Sequence, residues 1–275
     1  MTDKRILLAG IDLDGTLLHN DKTVSEKSLE ALRNAAKRGV HIVPVTGRPL
    51  SGVPAFIKEL DEVEYIVTSN GAYITNVKTN ETVYSKTLSN EKALEYIEKA
   101  ETAGLYCEAF CEGYGYVDEK TMERHIRELS GTPIYEYIIS TRDVVKSVFD
   151  YVKNRDCGVD ELFCIAQSPA QREAFRRQVE GDCAVQYCEL EDIFIELTDS
   201  EVDKGAALGR LCALLGVPAE NTVAFGDGEN DLSFLKAAGV SVAMGNAKQI
   251  LKECATLVTD TNENDGVAKI LEKII

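Results

Sequence analysis

The chain is short of positive charge. Its 275 residues carry 30 Lys and Arg against 46 Asp and Glu, a formal net charge of −16. The long-range field therefore repels polyanions and excludes nucleic acid or an anionic membrane as the main partner, so any anionic ligand needs a local site. Long apolar runs are missing too, since none approaches the roughly 20 residues of a membrane-spanning helix. Met1-Thr2-Asp3-Lys4-Arg5 opens onto only six uncharged residues before Asp12, which argues against a signal peptide or anchor and leads us to expect a cytoplasmic protein. Glycine (20) and proline (6) are too few for a collagen-like or low-complexity chain. The eight cysteines include no CxxC pair, and the three histidines (His19, His41, His125) do not group near them. That pattern supports neither a disulfide framework nor zinc and reads as buried or half-buried thiols in a reducing compartment.

What is present is an alternation of short apolar runs with amphipathic segments. Arg5 to Asp12 is a nearly unbroken apolar run, as expected of a strand buried on both faces of a parallel sheet. Thr23-x-x-Glu26 offers a capping box for a helix with Leu29, Leu32, Ala35 and Ala36 on one stripe, and Gly39 can close it. Val40 to Val45 and Tyr65 to Thr68 read as the next two strands. The same grammar returns after residue 195: a helix with Leu208, Leu211, Cys212 and Leu215 on one side, a strand Thr222 to Phe225, a helix Asp231 to Ala238, and a strand Val240 to Met244. A helix from Ala247, a strand Thr256 to Thr259 and a terminal helix from Asp265 complete a doubly wound, Rossmann-like α/β core. The middle differs. Alternation of Tyr106, Glu108 and Phe110 with Cys107, Ala109 and Cys111, and strands hinged at Gly113-Tyr114-Gly115, predict a mainly antiparallel sheet. Helices over Asn90 to Ala103, Asp143 to Lys153 and Pro169 to Val179 would cover it. The expected organisation is a core of residues 1–81 and 191–275 with an inserted α+β cap domain, 82–190.

Candidate chemistry gathers where core strands end. Asp12 and Asp14 follow the first strand; in extended chain they share a face roughly 6.6 Å apart, room for a phosphoryl group. Gly15 frees the backbone to turn, and Thr16 offers a hydroxyl donor. Thr46-Gly47-Arg48 closes the second strand with a hydroxyl, an amide and a guanidinium, each a phosphate donor. Phe225 runs into Gly226-Asp227-Gly228-Glu229-Asn230-Asp231, which supplies hard oxygen ligands for Mg²⁺ and an amide donor. Lys204 opens a helix after a strand Ile193 to Leu197 and adds a point charge. Each segment alone has an ordinary structural reading: an Asx turn, a surface ion pair, an N-cap, a solvated lysine.

Taken together, Asp12-Leu13-Asp14-Gly15-Thr16, Thr46-Gly47-Arg48, Lys204-Gly205 and Gly226 to Asp231 resemble, in order and spacing, the motifs of the haloacid dehalogenase superfamily. Ser69-Asn70-Gly71-Ala72, Ala243-Met244-Gly245-Asn246-Ala247 and Glu263 to Ala268 resemble its Cof-type phosphatases with an α+β cap. Thr46 to Val53 is further similar to the sugar-phosphate phosphatase branch. The resemblance implies that Asp12 attacks phosphorus and that Asp14 serves as acid and then base. It also implies that Thr46, the Gly47 amide, Lys204 and Asn230 hold the phosphoryl oxygens. Mg²⁺ would be held by Asp12, the Asp14 main-chain carbonyl and Asp227, with Asp231 as a supporting acid; Thr16 and Arg48 are supporting residues of the site. Asp203, where the family more often has a small polar residue, is a departure. A cation is also required on elementary grounds: two like charges about 4 Å apart at an effective dielectric of 20 repel by roughly 4 kcal/mol, and one lysine cannot offset a phosphate dianion facing two carboxylates.

The expected function is therefore a Mg²⁺-dependent phosphomonoesterase acting on small phosphorylated metabolites, most plausibly sugar phosphates. A phosphomutase of the same superfamily and a non-catalytic phosphate-ligand sensor are the alternatives; dehalogenation would need neither Asp14 nor a metal site. Selectivity must come from the cap, where Glu112-Gly113-Tyr114-Gly115-Tyr116 is the candidate loop and Tyr114 and Tyr116 the candidate contacts. An ordinary hairpin with surface tyrosines is the other reading of that loop.

Overall fold

The computed structural model describes residues 5–190 and 193–275; Met1 to Lys4, and residues 191–192 at the expected core–cap boundary, lie outside the described residues. In chain order the strands are β1 (Leu8–Ile11), β2 (His41–Pro44), β3 (Tyr65–Thr68), β4 (Tyr73–Asn76), β5 (Glu81–Ser85), β6 (Tyr106–Cys111), β7 (Tyr114–Asp118), β8 (Arg142–Val145), β9 (Glu161–Ile165), β10 (Val185–Leu190), β11 (Phe194–Asp199), β12 (Thr222–Gly226), β13 (Val240–Ala243) and β14 (Leu257–Val258). Two compact units result: one of the residues up to Gly47, Pro54–Ser85 and Asp203–Ile275, the other of Arg48–Val53 and Lys86–Val202.

The first unit is built on a five-stranded sheet in the order β14-β13-β12-β1-β2. Every pairing in it is parallel. β1, β12 and β13 are buried at every position, which explains why they read as unbroken apolar runs rather than alternating ones. The chain proceeds outward from β1 in one direction and from β12 in the other, so the switch point lies between these two strands, where open α/β sheets bind their ligands. Helix Glu26–Lys37 packs on Gly266–Ile274, and Lys204–Leu215 on Leu232–Ala237. Ser25, not Thr23, caps the first of these: its hydroxyl accepts from the Ser28 amide, while Thr23 is drawn into a local bond with Asp21. The run Tyr65 to Thr68 does form a strand, but β3 heads a separate antiparallel sheet, β3-β4-β5; beside it two isolated parallel bridges join Ile42 to Val63 and Val45 to Val67.

The second unit carries a six-stranded sheet, β10-β11-β9-β6-β7-β8, antiparallel except for β7 beside β8. β11 belongs to this sheet, so the boundary falls at 202/203 rather than 190/191. Helices Asn90–Thr102, Val148–Lys153 and Pro169–Val179 bury Tyr96, Val152 and Phe175 against Cys107, Ala109, Cys111, Leu162, Cys164, Ile195 and Leu197. Helix is expected from Asp143, but Arg142–Val145 pairs with β7 as a strand, and Ser147, whose hydroxyl accepts from the Asp150 amide, starts the helix later. The hairpin turns on Glu112-Gly113, both at positive φ (52° and 81°), so Tyr114 and Gly115 already lie in β7.

Two further helices, Glu119–Leu129 and Pro133–Thr141, were not anticipated. The first brings His125 against Glu108, and β8 adds Arg142; Glu108, fully buried, is 2.6 Å from His125 Nε2 and 2.8 Å from Arg142 Nε. Burial pushes the Glu108 carboxyl up, but Arg142 and His125 outweigh it and hold the group below its usual range. Deleting one member of a buried ionic group strands the others. Glu108→Ala should therefore cost about 3–5 kcal/mol, read from urea unfolding; a loss below about 1 kcal/mol would mean that Arg142 and His125 find other partners.

Candidate active site

The switch point between β1 and β12 is where the expected core residues meet. Asp12 directly follows β1 and continues its pairing through a hydrogen bond from its amide to the Phe225 carbonyl. Its carboxylate is buried and accepts a 2.8 Å bond from Lys204 Nζ, which also donates to Asp231 Oδ1 at 2.6 Å. Lys204 is the first residue of helix Lys204–Leu215, and Asp203 caps that helix by accepting from the Ala206 amide at 2.8 Å. The departure at Asp203 is thus a capping choice, its carboxylate turned to the helix backbone. The second oxygen of Asp231 accepts from the amides of Asp227 and Gly228, at 2.9 and 3.0 Å. Asp231 therefore ties the loop after β12 to Lys204, and both of its oxygens are engaged.

Asp227 is held from two sides, by the Thr16 hydroxyl at 3.3 Å and by Asn246 Nδ2 at 3.2 Å. Asn246 also donates to the Gly15 carbonyl at 2.8 Å. A Cβ on Gly15, whose φ is +75°, would lie 2.3 Å from Asp227 Oδ2, so a glycine there is what admits the carboxylate. Thr46 is buried after β2, and its amide and carbonyl bond Val67 and Asn70. Asn230 donates to Asn70 Oδ1 at 3.0 Å, and a Cβ on Gly47 would meet the same oxygen at 3.1 Å. Ser69 and Asn70 sit at positive φ, 48° and 53°, a strained turn that delivers this amide. Asp14 is half-buried and accepts from Lys22 Nζ at 2.7 Å.

Asp12, Asp14, Thr16, Thr46, Gly47, Lys204, Asp227, Asn230 and Asp231 all belong to the first unit. Arg48 belongs to the second, where its Nη1 donates to the Gly52 carbonyl at 2.8 Å and its guanidinium lies over the Tyr137 ring. Of the proposed cap contacts, Tyr116 stacks on Tyr151 with ring centroids 4.1 Å apart, and Tyr114 is 55% exposed. Tyr116 is thus partly buried against the helix-covered core of its sheet. Lys22, Asn70 and Asn246 were missed as site residues. For Asn70 and Asn246 the signal was their place in the resembling segments, whereas nothing local marks Lys22.

Oxygens of Asp12, Asp227 and Asp231 all lie within 4.8 Å of one another. At that spacing each pair of carboxylates repels by about 3 kcal/mol at an effective dielectric of 20. Lys204, whose own pKa is pushed up by Asp12 and Asp231 against the cost of its burial, is a cation bonded among them. Burial first and Asp231 second drive Asp12 well above the usual carboxylate range, and the same causes push Asp227 up to about 6. Hard oxygen donors short of positive charge fit a divalent cation such as Mg²⁺. Asp231 is committed to an ammonium and two amides at 2.6 to 3.0 Å, whereas the two bonds to Asp227 are longer, 3.3 and 3.2 Å, so Asp12 and Asp227 are the carboxylates better suited to hold it.

Asp227 carries a testable pH signature. A carboxyl raised from 3.8 to about 6 binds its proton more tightly folded than unfolded, so its contribution is fully present below about pH 4 and is lost as pH rises toward 6. In chelator, wild type should lose stability over this window relative to Asp227→Asn, by at most about 1.4 kcal/mol per pH unit. Parallel pH profiles for the two proteins would contradict the assignment.

Known proteins match the chain over nearly its whole length. The sequence pattern of the haloacid dehalogenase-like hydrolases matches residues 10–271. Phosphatase YwpJ of Bacillus subtilis is 30% identical over 290 residues, covering 98% of this chain and 99% of that protein. The 5-amino-6-(5-phospho-D-ribitylamino)uracil phosphatase YitU of the same organism is 28% identical, covering 99% and 98%. Among solved structures, a haloacid dehalogenase-like hydrolase from B. subtilis superposes with a TM-score of 0.85 at 27% identity, covering 98% of this chain and all of that one.

Proposed function

The chain belongs to the haloacid dehalogenase-like hydrolases and is a phosphatase, and from that premise we propose that it hydrolyses phosphomonoesters of small polyhydroxylated metabolites through an aspartyl-phosphate on Asp12. One observation carries the reading: a buried carboxylate at the end of β1, fixed by Lys204 at 2.8 Å, with a second acid two residues on. Lys204 opposes the burial that raises Asp12, and the charge of a bound Mg²⁺ would complete what keeps Asp12 an anion, able to attack phosphorus in line while the ester P–O bond breaks. Asp14 donates its proton to the departing alkoxide. Water then attacks the acyl phosphate, Asp14 takes the water's proton, and inorganic phosphate leaves as Asp12 is regenerated. Thr46, the Gly47 amide, Lys204 and Asn230 hold the equatorial oxygens, over which the transition-state charge is spread. Mg²⁺ held by Asp12, Asp227 and the Asp14 main-chain carbonyl would supply the positive charge that a dianion meeting these carboxylates needs. The polyol preference is supported by YitU, whose name specifies a phosphorylated ribityl chain.

A panel of phosphomonoesters assayed for phosphate release with Mg²⁺ and with chelator tests the reaction. Wild type should turn over sugar and sugar-alcohol phosphates with Mg²⁺ and lose activity in chelator, and Asp12→Asn should fall by at least 10³-fold, on the order of the loss of a nucleophile. A sizeable residual rate in the folded variant would rule out the covalent route. Asp14→Asn separates the two roles of that acid. Nitrophenolate leaves without a proton, so single-turnover phosphorylation by an aryl phosphate should drop less than phosphorylation by a sugar phosphate, about 10²–10⁴-fold for the latter. Equal losses would count against Asp14 as the acid.

A further inference from the structure

Lys22 is a lysine in a backbone conformation that favours glycine. Its φ is +66°, in the left-handed region that long side chains rarely adopt. The loop that imposes this conformation is tightly made. The His19 amide bonds the Thr23 carbonyl and the Lys22 amide bonds the His19 carbonyl, both at 2.9 Å, while Asp21 Oδ1 accepts from the Thr23 hydroxyl at 2.6 Å. The loop is also fastened to the short turn Asn262–Asn264. Asn262 Nδ2 donates to the Leu18 carbonyl at 2.9 Å, and Glu263 Oε1 accepts from the Asn20 amide at 2.7 Å. Leu18 in turn forms a bridge with Asp14, so the loop leaves the fold directly beside the second acid of the site. What the loop delivers there is an ammonium: Lys22 Nζ donates to Asp14 Oδ1 at 2.7 Å, the two side chains being 52% and 39% exposed. Stability does not account for the arrangement, because an ion pair this open to water contributes little and a left-handed lysine carries a cost that glycine would not. Every residue named lies in the first unit, as does Asp227, on which the Asp14 charge acts.

We propose that Lys22 is the positioning residue that holds the Asp14 carboxyl in the orientation from which it serves the departing oxygen. The inference rests on the phosphatase reading and adds to it a determinant from a loop that carries no sequence motif. Lys22 touches no reacting atom and keeps its protons; it donates a hydrogen bond to Oδ1 and acts through Asp14, whose transferred proton travels on Oδ2. An acid must stand within hydrogen-bond reach of the oxygen it protonates, and a half-exposed carboxyl meets that demand only while its side-chain rotation is restrained. The strained loop thus acts at a point where a misplacement of about 1 Å can cost on the order of 10²-fold in rate.

The test compares kcat/KM for phenyl phosphate and p-nitrophenyl phosphate, two esters that differ by one nitro group. This constant covers the steps through departure of the phenol. Phenolate needs a proton to leave well and nitrophenolate does not, so a misdirected acid shows in the ratio of the two. Lys22→Met keeps the apolar stem and removes the ammonium. It should lower kcat/KM for phenyl phosphate by about tenfold to hundredfold and for p-nitrophenyl phosphate by less than about threefold. In an Asp14→Asn background the same change should leave both values where they are. Lys22→Gly fits the left-handed backbone without strain and should show the same selective loss. Urea midpoints of all variants report whether folding is disturbed. Equal losses on the two esters, no loss on phenyl phosphate in either Lys22 variant, or a further loss in the Asp14→Asn background would overturn the proposal. A wild-type protein that released phosphate from no phosphomonoester would instead overturn the phosphatase reading, and with it this one.

Discussion

The structure depends on one buried ammonium. Lys204 is 1% exposed, and a lysine so placed is tolerable only if paired. Its two partners lie far away in sequence, Asp12 by 192 positions and Asp231 by 27. Satisfying that single charge therefore fastens the end of β1, the start of the helix after the second unit, and the loop after β12 to one point. The remaining oxygen of Asp231 carries the constraint on to two backbone amides and so shapes the loop that holds Asp227. One interaction thus explains both why the fold closes here and why the nucleophile has a fixed position.

The parts of this site that were legible in the sequence are those whose chemistry sits directly at a strand end. A buried parallel strand must stop at a polar residue, and an aspartate, a threonine or a glycine there is conspicuous against an apolar run. Asp12, Thr46, Asp227 and Lys204 were visible for that reason. Asn70 and Asn246 were not, because their roles exist only across 160 and 231 positions of chain, as bonds to Asn230 and to the Gly15 carbonyl. β3 shows the same limit at the level of topology: Tyr65 to Thr68 is an apolar run whether its neighbour is parallel or antiparallel, and only pairing with β4 decides.

The second unit was read less well because alternation reports which residues share a face without reporting what covers it. Glu108 falls on the face opposite Cys107 and Ala109, which the pattern assigns to solvent. It is fully buried because the unanticipated helix Glu119–Leu129 brings His125 to it and β8 brings Arg142. The Arg142 region misled for a related reason: Val144 and Val145 suit a helix stripe or a strand, and the parallel partner β7 settles it.

Charge balance joins the two halves of the proposed function. Asp12, Asp227 and Asp231 share one ammonium, and burial already makes two of these carboxyls hold their protons more tightly than in water. A phosphate dianion brought to such a place meets like charge, and a divalent cation brought there meets an excess of opposite charge. Each ligand then relieves the repulsion that opposes the other, so on the proposed reading their affinities must rise together and by the same factor in either order of binding. The acidity of the chain works in the same direction, because its long-range field disfavours anions everywhere and leaves only such cation-supplemented points able to hold a phosphate.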